Sequence, residues 1–204
     1  EGGIDLFWAS STAPRFESSR HQLLSLPGSV MTSITAGSFN SEYELSNDTL
    51  LDLAVVNQSS SQVEIYYQQA GAIKFLPGSF QLLNVLPGIS EVGSGDMDGD
   101  GADDIMASTI EGVYLYLQSP TFVYGFSDSQ DVHVLSVAED LLGFAIGDLD
   151  DDGEMELAVT TASSTVLAYG FGSSTFHEMT RQTVGASPAL LLIGDADGDL
   201  KDDL

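Results

Sequence analysis

The sequence predicts an all-β protein, and three observations support this fold class. Helical periodicity is poor, and several short stretches alternate polar residues with β-branched or aromatic ones, such as QVEIYYQ (62–68) and GVYLYLQ (112–118). Alternation with a period of two residues is typical of β-strands. The 21 glycines supply turns between such strands. The third observation is an internal repeat, which predicts how the strands are arranged.

An acidic phrase recurs three times along the chain, as GDMDGDGADDI, GDLDDDGEMEL and GDADGDLKDDL, beginning at positions 95, 147 and 194. Aligning the phrases places Asp104, Glu156 and Asp203 at one equivalent position, and similar steps backwards reach Asp52 and Asp5. Each of these acids is followed by Leu or Ile. The period is roughly 50 residues, which is typical of propellers and solenoids.

Each repeat has room for four short strands. An apolar run precedes the acidic loop, a run such as DLAVVN or DIMAST follows it, and an alternating stretch and a weaker fourth run come next. Four short strands in roughly 40–50 residues are typical of one propeller blade. The sequence therefore predicts a β-propeller of four-stranded antiparallel blades. We expect a single domain over 1–204, with approximate repeats at 6–52, 53–104, 105–156 and 157–203.

The two ends of the chain fall within the same loop of the repeat, since EGGIDL at the start resembles DLKDDL at the end. A loop that is ordered by its own ligands is a poor domain boundary. We therefore expect the chain to be a fragment, with about four blades, of a longer repeat array. A closed ring whose seam lies in that loop is the alternative.

Composition excludes several classes of partner. The chain of 204 residues carries 31 acidic and 5 basic residues, for a formal net charge of −26. Nucleic-acid binding needs clusters of Lys and Arg, so no nucleic-acid partner is expected. The apolar run ALLLI (189–193) is too short to span a bilayer, so we do not expect the chain to cross a membrane. Because the sequence has no cysteine, neither disulfides nor thiolate ligands are available.

About half of the acidic residues lie in three nine-residue loops with the pattern D-x-D-x-D-G-x-x-D or a close variant. Carboxylates at positions 1, 3 and 5 converge if the backbone winds around a point, and glycine at position 6 permits the sharp turn. Position 7 offers its carbonyl group, and the acid at position 9 closes the site. This many oxygen ligands favours Ca²⁺, because Mg²⁺ requires a stricter octahedron and zinc prefers His or Cys, which the loops lack.

The sequence therefore predicts about three calcium sites. The ligands of the first are Asp96, Asp98, Asp100, the Ala102 carbonyl and Asp104. The ligands of the second are Asp148, Asp150, Asp152, the Glu154 carbonyl and Glu156. The ligands of the third are Asp195, Asp197, Asp199, the Lys201 carbonyl and Asp203. Leu200 replaces glycine at position 6 of the third loop, so we expect that site to be strained and weaker or incomplete. A solvated acidic turn is the alternative for each loop.

The equivalent loop at 38–52 is degenerate, because it has Ser38 and Asn40 at positions 1 and 3 and an insertion after them. We expect it to keep the fold of the repeat and to bind metal weakly or not at all. The EF-hand is disfavoured for the acidic loops, because its bidentate Glu at position 12 is replaced by Ala107 or Val159.

The phrases GDMDGDGADDIMAS and GDLDDDGEMELAVT resemble the calcium loops of FG-GAP/VCBS repeats, as found in the N-terminal β-propeller of integrin α subunits and in many secreted proteins. The resemblance covers essentially the whole chain. It implies a seven- or eight-bladed propeller in which the loop joins the first two strands of a blade, with calcium on one face. The FG and GAP half-motifs are poor here, which favours the broader VCBS-type group over an integrin α chain.

The sequence shows no catalytic motif. His21, His133 and His177 are scattered without a repeated partner, and the paired acids are assigned to metal. We expect a non-catalytic module for adhesion or ligand binding, with an extracellular protein or glycan as its partner. The expected setting is extracellular or cell-surface, or periplasmic in a bacterium. The resemblance also permits a propeller domain in a secreted enzyme, such as a polysaccharide lyase or a phospholipase. Asn47 and Asn57 begin two N-glycosylation sequons.

Overall fold

The computed structural model describes residues 3–9, 16–25, 28–39, 51–68, 75–84, 88–119, 125–126, 132–185 and 190–204. All regular secondary structure within these ranges is β-structure, arranged in fourteen strands. The predicted all-β class is confirmed.

The strands form a two-stranded ribbon and three four-stranded antiparallel sheets, here called blades I, II and III. The ribbon pairs β1 (Gly3–Ala9) with β2 (Phe16–Ser25). Blade I contains β3 (Met31–Gly37), β4 (Asp52–Asn57), β5 (Gln62–Gln68) and β6 (Phe75–Asn84). Blade II contains β7 (Glu91–Gly95), β8 (Asp104–Thr109), β9 (Gly112–Tyr116) and β10 (Val132–Leu135). Blade III contains β11 (Leu141–Gly147), β12 (Glu156–Thr161), β13 (Thr165–Gly172) and β14 (Thr175–Thr183).

Each blade is a meander in which every strand pairs with the next one along the chain. The predicted four-stranded antiparallel blades of a propeller are confirmed. The boundaries of the sequence repeats fall near the start of the second strand of each blade. A repeat such as 53–104 therefore holds the last three strands of one blade and the first strand of the next.

The apolar core lies between successive blades. Along β4, Leu53 and Val55 pack towards the ribbon, whereas Ala54 and Val56 pack towards blade II. All six residues are buried in each of the second strands β4, β8 and β12. A strand that is covered on both faces needs apolar residues at nearly every position, which explains the continuous runs DLAVVN and DIMAST.

The first strands of blades I and II lie side by side and run in the same direction. The Val92 N–H donates to the Ser33 hydroxyl over 3.1 Å, and two residues further along, the hydroxyl groups of Thr35 and Ser94 lie 2.9 Å apart. Small polar side chains thus allow β3 and β7 to approach closely. Because both strands run the same way, the loops that follow them lie at the same end of the molecule.

The turn between β8 and β9 depends on glycine at position 112. Gly112 has φ of +141°, and a Cβ atom there would lie 2.1 Å from the carbonyl oxygen of Leu135. We expect Gly112→Ala to lower the free energy of unfolding by about 2–3 kcal/mol, as measured by urea denaturation. The matched control is Gly28→Ala, since Gly28 also has a positive φ (+83°) but faces open space. It should lose only about 1 kcal/mol. Equal losses in the two variants would contradict the steric role.

Candidate metal centres

The acidic loops occupy equivalent places in the fold. Residues 96–103 connect β7 to β8, and residues 148–155 connect β11 to β12. Residues 195–202 lie between the two partners of an isolated bridge, Gly194 and Asp203. The loop that joins the first two strands of a blade is therefore the acidic one, as the resemblance implied.

The carboxylate at position 1 organises the backbone of each loop. Asp96 accepts hydrogen bonds from the N–H groups at positions 4, 5 and 6 over 2.8–3.1 Å. Asp148 accepts from positions 5 and 6, and Asp195 accepts from positions 4, 5 and 6. In all three loops the carboxylate at position 5 accepts the N–H of position 7 over 2.9–3.0 Å. The three loops thus share one conformation.

Positions 4 and 6 adopt positive φ in every loop. Glycine fills these positions except at Asp151 (φ +65°), position 4 of the second loop, and Leu200 (φ +71°), position 6 of the third. A residue with a Cβ atom pays about 1 kcal/mol or more for this conformation. The strain expected at Leu200 is therefore present, although the loop keeps the shared hydrogen-bond pattern.

The structure brings three carboxylates together in each loop, with one oxygen atom of each within 4.8 Å of the others. The groups are Asp96, Asp98 and Asp104; Asp148, Asp150 and Glu156; and Asp195, Asp197 and Asp199. Three further predicted ligands lie outside these groups, namely Asp100, Asp152 and Asp203. Ala102, Glu154 and Lys201, which were predicted to offer carbonyl groups, are held through their N–H groups by the position-5 carboxylates. Within the described ranges, groups of this kind occur only in these loops.

The donor atoms of the three groups suit a hard divalent cation. Every side-chain donor is a carboxylate oxygen, and no group contains a nitrogen or sulfur ligand. Such a set suits Ca²⁺ or Mg²⁺ and disfavours zinc. In the first loop, partial desolvation raises the pKa of Asp98, and the nearby carboxylates of Asp100, Asp96 and Glu154 raise it further. A bound cation would relieve this repulsion.

The acid at position 9 has a structural role that was not predicted from the sequence. Asp104 is fully buried, and its two oxygens accept the N–H of Met97 over 2.9 Å and of Gln118 over 2.8 Å. Met97 lies in the acidic loop, and Gln118 follows the third strand of the blade. The Asp104 carboxylate therefore fastens the loop to the sheet.

The degenerate loop of blade I keeps this fastening. Asp52 is buried, and its carboxylate accepts the N–H of Phe39 over 3.1 Å and of Gln68 over 2.7 Å. This loop has Ser38 at position 1 instead of an acid, so this attachment does not require the carboxylate at position 1. The sequence shows this as an acid at the place of position 9 in a repeat whose positions 1 and 3 are Ser38 and Asn40 instead of acids.

Burial raises the pKa of Asp104 to about 8, although the N–H groups of Gln118 and Met97 oppose this shift. In the calcium-free protein the Asp104 carboxyl therefore gives up its proton at a higher pH in the folded state than in the unfolded chain, where the ordinary pKa is 3.8. We expect the contribution of Asp104 to the stability of the calcium-free protein to be fully present below about pH 3.8 and to be lost as the pH rises through about 8.

Urea denaturation across this pH range in calcium-depleted buffer measures the slope of the free energy of unfolding against pH. Asp104→Asn is the control, because an amide does not titrate, and its slope should be shallower. An equal slope in the two proteins would show that other groups cause the dependence.

Neighbouring loops are also joined to each other. Asp103, at position 8 of the first loop, accepts the N–H of Ser38 in blade I over 2.7 Å. Asp202, the equivalent residue of the third loop, accepts the N–H of Asp148 over 3.1 Å. These contacts were not predicted from the sequence. The sequence does show paired acids at 103–104 and 202–203. In each pair the first acid, Asp103 or Asp202, contacts a neighbouring loop.

Other candidate residues have ordinary structural surroundings. Asn57 is buried, and its amide group donates to Glu64 and Ser29, so it is not available as a glycan acceptor. Asn47 and the side chain of His21 lie outside the described residues. His133 packs edge-to-face on Phe171, with ring centroids 4.9 Å apart. His177 is exposed on β14.

The fold and the loops define a class of protein, a β-propeller module with acidic loops between the first two strands of its blades. Residues 96–159 match the family of FG-GAP-like repeats. This segment spans the first two acidic loops and most of β12. The predicted resemblance to FG-GAP repeats is thus confirmed over residues 96–159.

A similar solved structure is the crystal structure of BBS1N in complex with ARL6DN, soaked with lead. The TM-score is 0.56 at 12% sequence identity, over 99% of this chain and 50% of that chain. At this identity the likeness shows the β-propeller fold alone. The chain spans about half the length of the structure that it matches. No curated protein matches it in sequence, and the described residues form no helix that could cross a membrane.

Proposed function

We propose that this chain is a calcium-binding segment of an extracellular β-propeller that serves adhesion or ligand binding without catalysis. The observation that carries the proposal is the recurrence of one loop conformation, in which three carboxylates place oxygen atoms within 4.8 Å of one another. Three uncompensated negative charges at this distance repel one another strongly. A divalent cation bound among them makes the net electrostatic interaction favourable.

Calcium would act here as a structural ion. In each loop it would compensate the carboxylates and hold the connection between the first two strands of a blade. With a Kd near 10 µM and about 1 mM extracellular calcium, each filled site adds about 2.7 kcal/mol of stability. Cytosolic calcium is too low for that occupancy, which is the reason for proposing an extracellular setting.

Two findings support a binding role for the propeller. FG-GAP-like repeats match the chain over the first two metal loops. The propeller of similar fold was crystallised in complex with another protein, ARL6DN. We therefore propose a protein or glycan ligand, and arrays of such ligands screened with and without calcium would identify it.

Isothermal titration of the full chain with calcium tests the metal sites. We expect about three sites, with the third weaker because Leu200 strains its loop. The double variants D98N/D100N and D150N/D152N should each remove one site. Asp140→Asn is the control, since Asp140 is exposed at the start of β11, away from the loops, and it should leave the stoichiometry unchanged. Absence of calcium binding at millimolar concentration would overturn the proposal.

A further inference from the structure

Successive metal loops lie in a fixed register across the blades. The Met155 N–H of the second loop donates to the Asp96 carbonyl oxygen of the first over 3.1 Å. The Asp202 carboxylate of the third loop accepts the Asp148 N–H of the second over 3.1 Å. These bonds place position 8 of one loop against position 1 of the loop before it. The side chain at position 7 is therefore also held close to that preceding loop.

In the second loop, position 7 is Glu154, and its side chain extends over the first loop. A Cβ atom added to Gly99 would lie 3.0 Å from Glu154 Oε1 and 3.3 Å from its Cγ. Gly99 lies between two predicted ligands of the first site, Asp98 and Asp100. The first loop thus receives an additional negative charge from the next blade.

In the third loop, position 7 is Lys201, and its side chain extends over the second loop. Its Nζ atom lies 2.7 Å from Asp151 Oδ2. Asp151 lies between two predicted ligands of the second site, Asp150 and Asp152. The second loop thus receives a positive charge at the place where the first receives a negative one.

We propose that the residue at position 7 of each loop sets the divalent-cation affinity of the loop on the preceding blade. Glu154 strengthens binding at 96–104, and Lys201 weakens binding at 148–156. This inference rests on the calcium binding proposed above. Asp151 and Lys201 are both more than half exposed, so their influence acts through water and is screened by salt.

The test measures each site alone in the full chain, by calcium titration calorimetry at about 0.1 M salt. The first site is isolated with D150N/D152N and D197N/D199N, which disable the other two loops. In that background Glu154→Lys should weaken calcium binding about three- to tenfold.

The second site is isolated with D98N/D100N and D197N/D199N, and there Lys201→Glu should tighten binding by a similar factor. Both effects should largely disappear at about 1 M salt.

Two controls match the change in net charge. Glu111→Lys alters the turn between β8 and β9, at the other end of blade II, and Arg181→Glu alters the outer strand β14. Each should change affinity by less than about twofold. Effects of Glu154→Lys and Lys201→Glu no larger than these controls would overturn the inference and leave the calcium sites standing. If the unaltered chain binds no calcium, the proposed function itself fails. The single variants with all three loops intact give a second measurement if a combined variant does not fold.

Discussion

Removal of calcium from the full chain is expected to lower its melting temperature by about 15 °C or more. Three sites at about 2.7 kcal/mol each would contribute much of the stability of a typical domain, which is about 5–15 kcal/mol. The loss should be large because each loop holds three close carboxylates that repel one another once the cation is gone. Differential scanning fluorimetry in 1 mM calcium and in excess EGTA measures the difference.

Two controls test whether the loss of stability comes from calcium bound at the acidic loops. D98N/D100N should respond less to EGTA than the unaltered chain, because it has one site fewer to lose. Magnesium at the same concentration should restore little stability, since these flexible, oxygen-rich loops suit calcium better. A melting curve that is identical with calcium and with EGTA would show that the loops are solvated turns, the alternative that the sequence left open.

The second large effect is expected at the buried acids of position 9. Asp52→Ala and Asp104→Ala each leave two N–H groups without their acceptor in the interior, at about 1–3 kcal/mol per group. We expect each variant to lose about 2–5 kcal/mol in calcium-depleted buffer, as measured by urea denaturation. The two variants should differ in their response to calcium, because only Asp104 belongs to an acidic loop.

Addition of calcium distinguishes an acid that is a metal ligand from an acid that only holds the loop to the sheet. Asp52→Ala should gain as much stability from calcium as the unaltered chain does. Asp104→Ala should gain less, and the difference should be about the contribution of one filled site. Asp140→Ala, at an exposed acid, should be unchanged in both buffers. If calcium stabilises Asp104→Ala as much as Asp52→Ala, then Asp104 is not a ligand and its role is only to fasten the loop.

The sequence by itself determined the class of fold, because its signals are local. The run DIMAST predicts a strand, and alternation in QVEIYYQ predicts the strand after DLAVVN. Glycine at position 6 of the first loop, Gly101, predicts a sharp turn, and it takes positive φ in the structure. Periodicity, turn chemistry and the repeat each depend on residues that are close in the chain, and the structure confirms the strands they predicted.

Only the tertiary structure decided which residues meet across blades. Asp202 and Asp148 are far apart in sequence, and nothing in their local phrases indicates that one accepts the N–H of the other. The same holds for Lys201 and Asp151, whose ion pair depends on the stacking of one blade on the next. The burial of Asn57 likewise depends on Glu64 in the neighbouring strand and on Ser29. Such contacts depend on the spacing and register of packed blades, which a single sequence does not encode locally.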